Sequence, residues 1–318
     1  MSMNKIALIC GITGQDGSYL AKYLIKKGYK IFGTTRDASI CDKSRLENLG
    51  IVNEIELISL APNDFRSVLK VIEFSNPHEI YYLAGLTSVG LSFEQPVEAM
   101  DSIACGTLNF LEAIKLVNKR IKFFNAGSSE CFGNTNNAAA TENTVFSPMS
   151  PYAIAKATAF WQVSLYRKSY DLFCCTGILG NHESPLRQKR FVTQKIISQI
   201  KEIKDSKITE LKLGNLNTSR DWGWAPEYVE AMHLMLQAKK PDDFIIATGE
   251  TNSLKNFVKL AFDYFGLNYK DYLKYDETLL RPSDVHYSSL DPSKIKKELG
   301  WEAETDFKNI IRKMYEEI

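Results

Sequence analysis

The sequence predicts an α/β protein in which a doubly wound parallel sheet is followed by a smaller α+β lobe. Through the first half, short apolar runs alternate with segments whose apolar residues recur at helical spacing, and after Asn181 this alternation stops. Alternating strands and helices form parallel sheets covered on both faces, because the crossovers are right-handed. The length of 318 residues exceeds what one hydrophobic core usually serves. We therefore expect one domain over residues 1–180 and a second over 181–318.

The elements of the first half follow one another without long linkers. A buried strand in KIALICGI leads into the helix GSYLAKYLIKKG, where Tyr19, Leu20, Tyr23 and Leu24 share one face and Gly28 closes the last turn. Further strands are expected in KIFGTT, EIELISL, EIYYLAG, IKFFNAGS and CCTGILGN, and further helices in FRSVLKVIEFS, CGTLNFLEAIKLV and YAIAKATAFWQVSLYRKS. In the second half, we expect DFIIATG to return to the edge of the sheet.

The composition argues against several functional classes. The formal net charge is +1, with 39 basic and 38 acidic side chains. Proteins that bind nucleic acid or an anionic membrane usually carry an excess of basic residues, so neither partner is expected. The six cysteines show no C-x-x-C spacing and the four histidines no metal-ligand spacing, so we expect free thiols and no metal site. The apolar start MSMNKIALICGITG is too short for a signal peptide, and no run approaches the roughly 20 apolar residues that span a bilayer. We expect a cytoplasmic protein.

A glycine-rich loop follows the first predicted strand. Gly11, Gly14 and Gly17 are spaced G-x-x-G-x-x-G and open the first helix. Glycines permit the tight turn and the close approach of a pyrophosphate to a helix N-terminus, where free N–H groups favour anions. The loop therefore predicts a Rossmann-type dinucleotide site in preference to a plain strand-to-helix turn, with the cofactor-binding candidates Gly11, Thr13, Gly14, Gln15, Asp16 and Gly17.

The end of the second predicted strand bears on which dinucleotide binds. There, Arg36 precedes Asp37. An arginine at this point accommodates the 2′-phosphate of NADP, whereas an acidic residue would bind the ribose hydroxyl of NAD. Arg36 favours NADP, and Asp37 keeps NAD as an alternative.

A serine, a tyrosine and a lysine form the second constellation. Ser128 ends a predicted strand, and Tyr152 and Lys156 lie one turn apart on the next helix. By itself, Y-x-x-x-K would describe an exposed aromatic beside a solvated charge. Together with the serine it predicts catalysis, with the lysine lowering the phenol pKa so that the phenolate takes a proton from a sugar hydroxyl while a hydride passes to nicotinamide. Tyr152 and Lys156 also count as cofactor-binding candidates.

Glu130 adds a carboxylate two residues beyond the serine. Simple hydride transfer does not require it. A second acid/base becomes useful once C4 of a hexose is a ketone, because the C5 proton is then acidic and a carboxylate can remove it and protonate the departing C6 hydroxyl. The alternative role for Glu130 is ordinary capping at a helix start.

These motifs resemble the GDP-mannose 4,6-dehydratase family of the extended short-chain dehydrogenase/reductases. The resemblance covers nearly the whole chain through segments such as GITGQDGSYL, SSECFGN and SPYAIAKATAFW, and NHESP followed by LGN and RDWG is its most specific part. It implies that Tyr152 is the base, Lys156 its partner, Ser128 the hydroxyl that orients the C4 oxygen, and Glu130 the acid/base of elimination. It also implies a substrate-binding set of Thr87, Asn181, Glu183, Val192, Lys195, Arg220 and Arg281.

Several residues depart from the family pattern. Asp37 stands where the family usually has a second arginine, Leu86 and Thr87 replace a glutamine and a serine, and Leu186 replaces an arginine beside Arg187. These positions surround the cofactor and the sugar end of the site. They suggest an altered donor, such as a GDP-linked manno-heptose in place of mannose.

The resemblance implies an intramolecular redox lyase that turns a GDP-sugar into its 4-keto-6-deoxy product without net use of NADP. Two alternatives stay open: a sugar-nucleotide reductase, 4-oxidase or epimerase of the same fold, and a non-catalytic regulator that binds a sugar nucleotide.

Relatives pair through long helices that flank the sheet, so we expect a homodimer or homotetramer. Phe160, Trp161 and Val163 are candidates for that contact, although the same face could be core.

Overall fold

The computed structural model describes residues 5–136 and 138–316; residues 1–4 of the N-terminal run considered above lie outside this range. The strands in the described part are β1 Ile6–Cys10, β2 Lys30–Thr35, β3 Ile55–Ser59, β4 Glu79–Tyr82, β5 Lys122–Ala126, β6 Cys174–Leu179, β7 Asn181–Glu183, β8 Leu211–Leu213, β9 Ser219–Trp224, β10 Phe244–Ile246, β11 Thr251–Ser253 and β12 Leu273–Tyr275.

The helices in the same residues are α1 Gln15–Lys26, α2 Ser44–Asn48, α3 Phe65–Ser75, α4 Val89–Glu94, α5 Pro96–Ala99, α6 Gly106–Val117, α7 Pro151–Tyr170, α8 Val192–Lys204, α9 Ala225–Gln237, α10 Leu254–Tyr264, α11 Tyr269–Tyr272, α12 Ser293–Leu299 and α13 Phe307–Glu316. A π-helical segment, Met100–Cys105, joins α5 to α6, and a short 3-10 helix, Ser129–Phe132, follows β5. The strands and helices predicted for the first half are all present, with ends that differ by a few residues.

The main sheet has, within the described residues, seven parallel strands in the order β10-β6-β5-β4-β1-β2-β3. The chain winds outward in one direction from β1 and in the other from β4, so the predicted doubly wound sheet is confirmed. Side chains alternate across it: Ala7 and Ile9 of β1 pack into one core cluster, and Leu8 and Cys10 into the other. Both faces are therefore buried, which explains why the strands read as continuous apolar runs.

Segments of the second half return to this sheet. β10, within the predicted DFIIATG segment, pairs in parallel with β6 and forms the sheet edge. α9 and the region of α12 cover one face, where Tyr228, Met232 and Trp301 share a cluster with Leu20 and Leu24 of α1. The division at residue 180 thus stays a prediction about function, since residues on both sides of it build the same core.

The remaining second-half elements form a separate core beside the carboxyl ends of the main strands. β9 pairs with β11 and β7, and β12 pairs with β8. Trp222 and Trp224 of β9 pack with Phe257 of α10 and Phe307 of α13. Arg220 and Asp221, which precede these tryptophans in β9, are also buried. Among the described residues, no helix is both long and apolar enough to cross a membrane.

Candidate active site

A cavity of about 1110 Å³ lies where the carboxyl ends of the main strands meet the second-half elements. Parallel α/β sheets usually bind ligands at this edge. The predicted residues that line the cavity are Asp16, Thr87, Ser128, Glu130, Tyr152, Lys156, Asn181, Glu183, Val192, Lys195, Arg220 and Arg281. The predicted residues Gly11, Thr13, Gly14, Gln15, Gly17 and Arg36 lie outside its lining.

The start of α7 places Tyr152 and Lys156 in this cavity. Ser150 caps the helix by accepting a hydrogen bond from the Ala153 amide at 3.1 Å, and Pro151 occupies the first turn. Lys156 is buried, donates from Nζ to the Ala126 carbonyl at 2.7 Å, and has its Nζ 5.7 Å from the centre of the Tyr152 ring. Burial lowers the pKa of Lys156 to about 8, against opposing effects of Cys131 and Asp16.

The predicted lowering of the Tyr152 pKa is wrong as a net effect. Burial raises the pKa of this phenol above its ordinary value, and a hydrogen bond with Ser128 only partly opposes it. The lysine ammonium is engaged with a carbonyl oxygen and lies beside the ring, at 5.7 Å from its centre. Desolvation of the phenolate therefore outweighs the attraction that the sequence suggested.

Glu130 faces the cavity from the 3-10 helix after β5. Ser128 Oγ accepts from the Glu130 amide at 3.3 Å, so the serine caps this turn and the Glu130 carboxylate is not used for capping. Instead, Glu130 Oε1 lies 3.5 Å from Arg220 Nε, a pair in which both side chains are largely buried. The carboxylate is thereby directed toward the same space as Tyr152.

Two of the predicted substrate-binding residues, Arg220 and Arg281, share one carboxylate that was not predicted from the sequence. Asp284 Oδ1 lies 3.3 Å from Arg220 Nη2 and 3.3 Å from Arg281 Nη1. A carboxylate between two guanidinium groups holds them close together although they come from distant segments. The sequence signal was weak: Asp284 follows Arg281 by three residues in a segment with no periodicity.

The glycine loop shows the geometry of an anion site. Gly11 has φ of +84°, and a Cβ on Gly17 would lie 2.3 Å from the Gly11 carbonyl oxygen, so both positions require glycine. No described side chain caps α1 at Gly14, and the first-turn amides of a helix lack intrahelical acceptors. The loop therefore fits a dinucleotide pyrophosphate.

Gln15 and Asp16 connect this loop to β7. Gln15 Nε2 donates to the His182 carbonyl at 3.1 Å, and Ser184 Oγ donates to Gln15 Oε1 at 2.8 Å. His182 Nε2 lies 3.0 Å from Asp16 Oδ2. Burial opposes ionisation of Asp16, but the charge and hydrogen bonds of His182 prevail and lower its pKa to about 2. The motifs GQDG and NHES, far apart in sequence, thus form one hydrogen-bonded unit.

Glu183, Val192 and Lys195, three further substrate-binding candidates, line the same cavity. Glu183 accepts from Thr193 Oγ1 at 2.6 Å and pairs with Arg187 at 3.2 Å, which places α8 and its first residue Val192 against the cavity. Lys195 Nζ donates to the Lys212 carbonyl at 2.7 Å.

Arg190 was missed by sequence reasoning. It lines the same cavity, and its Nη2 donates to Thr87 Oγ1 at 3.3 Å. The basic run RQKR was the available signal.

Arg36 sits apart from the cavity, after β2. Its side chain is 83% exposed and pairs with Glu98 at 2.8 Å. Asp37 accepts hydrogen bonds from the amide and hydroxyl of Ser39, and these bonds lower its pKa. Both side chains are therefore exposed and each has a local partner, Glu98 for Arg36 and Ser39 for Asp37.

Known proteins with similar sequences and structures place the chain in a family. A family model described as GDP-mannose 4,6 dehydratase matches residues 8–314. The chain is 43% identical to GDP-mannose 4,6 dehydratase 1 of Arabidopsis thaliana, over 98% of this chain and 89% of that protein. It is 38% identical to the GDP-mannose 4,6 dehydratase of Homo sapiens, over 97% of this chain and 90% of that protein.

Solved structures agree on the fold. A Thermotoga maritima UDP-glucose 4-epimerase with UDP-glucose superposes with a TM-score of 0.86 at 21% identity, covering 98% of each chain. A Bacillus anthracis dTDP-glucose 4,6-dehydratase in complex with NAD gives a TM-score of 0.85 at 18% identity, covering 98% of this chain and 96% of that one. Together with the sequence matches over almost the whole length, these findings show that the chain belongs to the GDP-mannose 4,6-dehydratase family.

Proposed function

We propose that this chain is a GDP-sugar 4,6-dehydratase that works with a bound nicotinamide dinucleotide. The observation that carries the proposal is the convergence of Ser128, Glu130, Tyr152 and Lys156 on one cavity, opposite the arginine pair joined by Asp284. A reductase would need the serine, tyrosine and lysine but would leave the carboxylate without a role. The relatives named as GDP-mannose dehydratases support the same substrate class.

The side chains divide the proton transfers between them. The dinucleotide, when bound, supplies the hydride acceptor at C4 and the hydride donor at C6. Tyr152 takes the C4 hydroxyl proton, Ser128 orients that oxygen, and the Lys156 ammonium stabilises the phenolate. Glu130 removes the C5 proton and delivers a proton to the C6 hydroxyl, which leaves as water. The proton that Tyr152 took is then available for C5 when C6 is reduced, so that both side chains return to their starting state. Arg220 and Arg281 hold the diphosphate through charge-assisted hydrogen bonds.

The residues present fit this dinucleotide, and Arg36 supports NADP as the preferred form. Its guanidinium is exposed at the end of β2, where a 2′-phosphate is accommodated in sheets of this type. Arg36→Ala should weaken NADP⁺ binding about tenfold or more and leave NAD⁺ binding within about threefold, since only NADP carries the extra phosphate. Arg120→Ala, an exposed substitution beyond α6, is the control. Equal losses of affinity for NADP⁺ and NAD⁺ would show that Arg36 does not confer a preference for NADP.

The donor is proposed to be GDP-mannose or a GDP-manno-heptose. Thr87 lines the cavity and differs from the family pattern, which supports a modified sugar, whereas Leu86 and Leu186 are not part of the lining. The purified protein should be offered each donor separately, with mass spectrometry of the sugar nucleotide and absorbance of reduced nicotinamide. Loss of one water without accumulation of reduced cofactor supports the dehydratase. A product two hydrogens lighter, with stoichiometric reduced cofactor, would establish a 4-oxidase instead.

A second copy of this chain is the proposed partner. Of the three α7 residues predicted for the contact, Phe160 and Val163 are buried in the core, because they face the sheet, and Trp161 is 60% exposed. Ile154 and Leu165 extend the exposed stripe of α7. Light scattering should show a dimer or tetramer that Trp161→Glu dissociates; a monomer at micromolar concentration would refute the assignment.

A further inference from the structure

A carboxylate lies at the end of the helix that the proposed function assigns to a pyrophosphate. Asp16 is the second residue of α1, in the first turn after the glycine loop. A helix N-terminus attracts anions, but two phosphates and a carboxylate in the same place repel one another. Anion binding at α1 therefore requires that the Asp16 charge be offset by a cation.

His182 is placed to provide that cation. Its Nε2 lies 3.0 Å from Asp16 Oδ2 and its Nδ1 lies 2.8 Å from the Gly180 carbonyl oxygen. Both neighbours are acceptors, and a neutral imidazole has a single N–H. Both contacts are satisfied only by the imidazolium. The ring is buried and stacks on Tyr228 with the ring centres 4.7 Å apart, which leaves little freedom to turn away.

The charged groups around the His182 ring also favour the imidazolium form. Burial lowers the pKa of His182 and so does Arg187, but Asp16 and the Gly180 carbonyl prevail, and the net direction is upward. Tyr228 from α9 faces the ring as a neutral phenol, since burial raises its pKa well above the ordinary value. Lys156 from α7 also interacts with Asp16. Among the described residues, the Asp16 carboxylate is therefore in direct contact with the His182 ring, and the cations Arg187 and Lys156 act from farther away.

We propose that His182 is a positioning residue for the dinucleotide: as an imidazolium it neutralises Asp16, so that α1 accepts a pyrophosphate, and loss of its proton weakens dinucleotide binding. The inference rests on the proposed function for the identity of the ligand. The hydrogen bonds of Gln15 to the His182 carbonyl and to Ser184 hold α1 against β7 through groups other than the imidazole. Replacing the imidazole therefore changes charge more than architecture.

The test measures dinucleotide affinity by calorimetry between pH 6.5 and pH 9, without a sugar nucleotide. NAD⁺ is the main probe because it lacks the 2′-phosphate, which titrates near pH 6; NADP⁺ is the second. The proteins are the wild type, His182→Gln, Asp16→Asn and the double variant.

The wild type should bind the dinucleotide about tenfold more weakly at pH 9 than at pH 6.5. His182→Gln should bind it about tenfold more weakly than the wild type does at pH 6.5, at every pH in the range. Lys156, whose pKa is about 8, titrates in the same range in every variant, so the comparison is of differences between profiles. Asp16→Asn should bind with a smaller pH dependence than the wild type, and adding it to His182→Gln should restore affinity.

The restoration separates charge compensation from structural support. A double variant as weak as His182→Gln, or an Asp16→Asn variant as pH-dependent as the wild type, would overturn the proposal. The wild-type and Asp16→Asn profiles decide the matter even if His182→Gln fails to fold. Because turnover is not measured, failure of the dehydratase assay leaves this result intact. A wild type that binds a dinucleotide with no pH dependence refutes this inference alone, whereas one that binds neither dinucleotide refutes the cofactor assignment as well.

Discussion

Arg220 Nε lies 3.5 Å from Glu130 Oε1, and the same guanidinium reaches Asp284 with its Nη2 at 3.3 Å. The residue proposed for elimination is therefore in contact with a residue proposed for the diphosphate. The guanidinium thus connects the part of the cavity proposed for elimination to the part proposed for the nucleotide. Changes at Arg220 should consequently affect chemistry as well as binding, which distinguishes it from Arg281.

Glu130→Gln should abolish dehydration while leaving GDP-sugar binding nearly intact. The amide keeps the shape of the side chain but cannot take the C5 proton, and loss of a general acid/base typically lowers kcat by about 10²- to 10⁴-fold. Steady-state kinetics and direct GDP-mannose binding would measure the two effects. Glu47→Gln, on the exposed face of α2, is the matched control. Activity within tenfold of wild type would assign the acid/base role elsewhere.

Arg281→Gln and Arg220→Gln should differ in how their kinetic constants change. Arg281 contacts Asp284 at the partly exposed edge of the cavity, so its loss should raise KM about tenfold with little change in kcat. Arg220 also contacts Glu130, so its loss should lower kcat in addition. Identical KM-to-kcat patterns for the two variants would contradict a role of Arg220 at Glu130.

Lys156→Met should stabilise the fold near pH 7 and remove activity. Burial lowers the pKa of Lys156 from 10.5 to about 8, so the unfolded chain binds more protons than the folded chain between those values. Stability from this group therefore rises with pH across about 8 to 10.5, and below pH 8 the buried charge costs the full difference, about 3 kcal/mol. The hydrogen bond to Ala126 that is lost is worth about 1 kcal/mol.

The expected net gain for Lys156→Met at pH 7 is about 2 kcal/mol, or about 3 °C in Tm. It should shrink toward zero as the pH approaches 10, because the wild-type lysine is then neutral when folded. Scanning calorimetry at pH 7 and pH 9.5 gives the comparison. A lower Tm for the variant at pH 7 would mean that the contact with Ala126 outweighs the desolvation of the ammonium.

Gly17→Ala should eliminate dinucleotide binding. The added Cβ would lie 2.3 Å from the Gly11 carbonyl oxygen and 2.7 Å from Ile12 Cα, and backbone atoms cannot move aside as a flexible side chain does. We expect the loop to open and NADP⁺ affinity to fall at least tenfold, measured by calorimetry. Gly90→Ala is the control, since its nearest neighbour would be 3.9 Å away. Unchanged affinity in Gly17→Ala would show that the loop does not hold the pyrophosphate.

The order of the main-sheet strands and of the longer helices α1, α3, α6 and α7 was predictable because the signals are local. The short helices α2, α4 and α5 were not predicted. Gly11 and Gly17 mark a turn that other residues cannot form, and Ser150 with Pro151 marks the start of α7 one residue before the predicted position. The predicted lowering of the Tyr152 pKa failed because burial of the phenol raises that pKa, and this burial depends on segments far away in sequence.

The sequence by itself determined the alternation of strands and helices and the glycine loop, since periodicity, turns and caps act over a few residues. It also supplied the residue types proposed for the chemistry. Tertiary structure alone decided the pairs Glu130 with Arg220, Arg220 with Asp284, and Asp16 with His182. Each pair joins segments that are separated by up to 166 positions. Their contact depends on how the second-half core packs against the carboxyl ends of the main sheet, and that packing is a property of many distant apolar residues acting together.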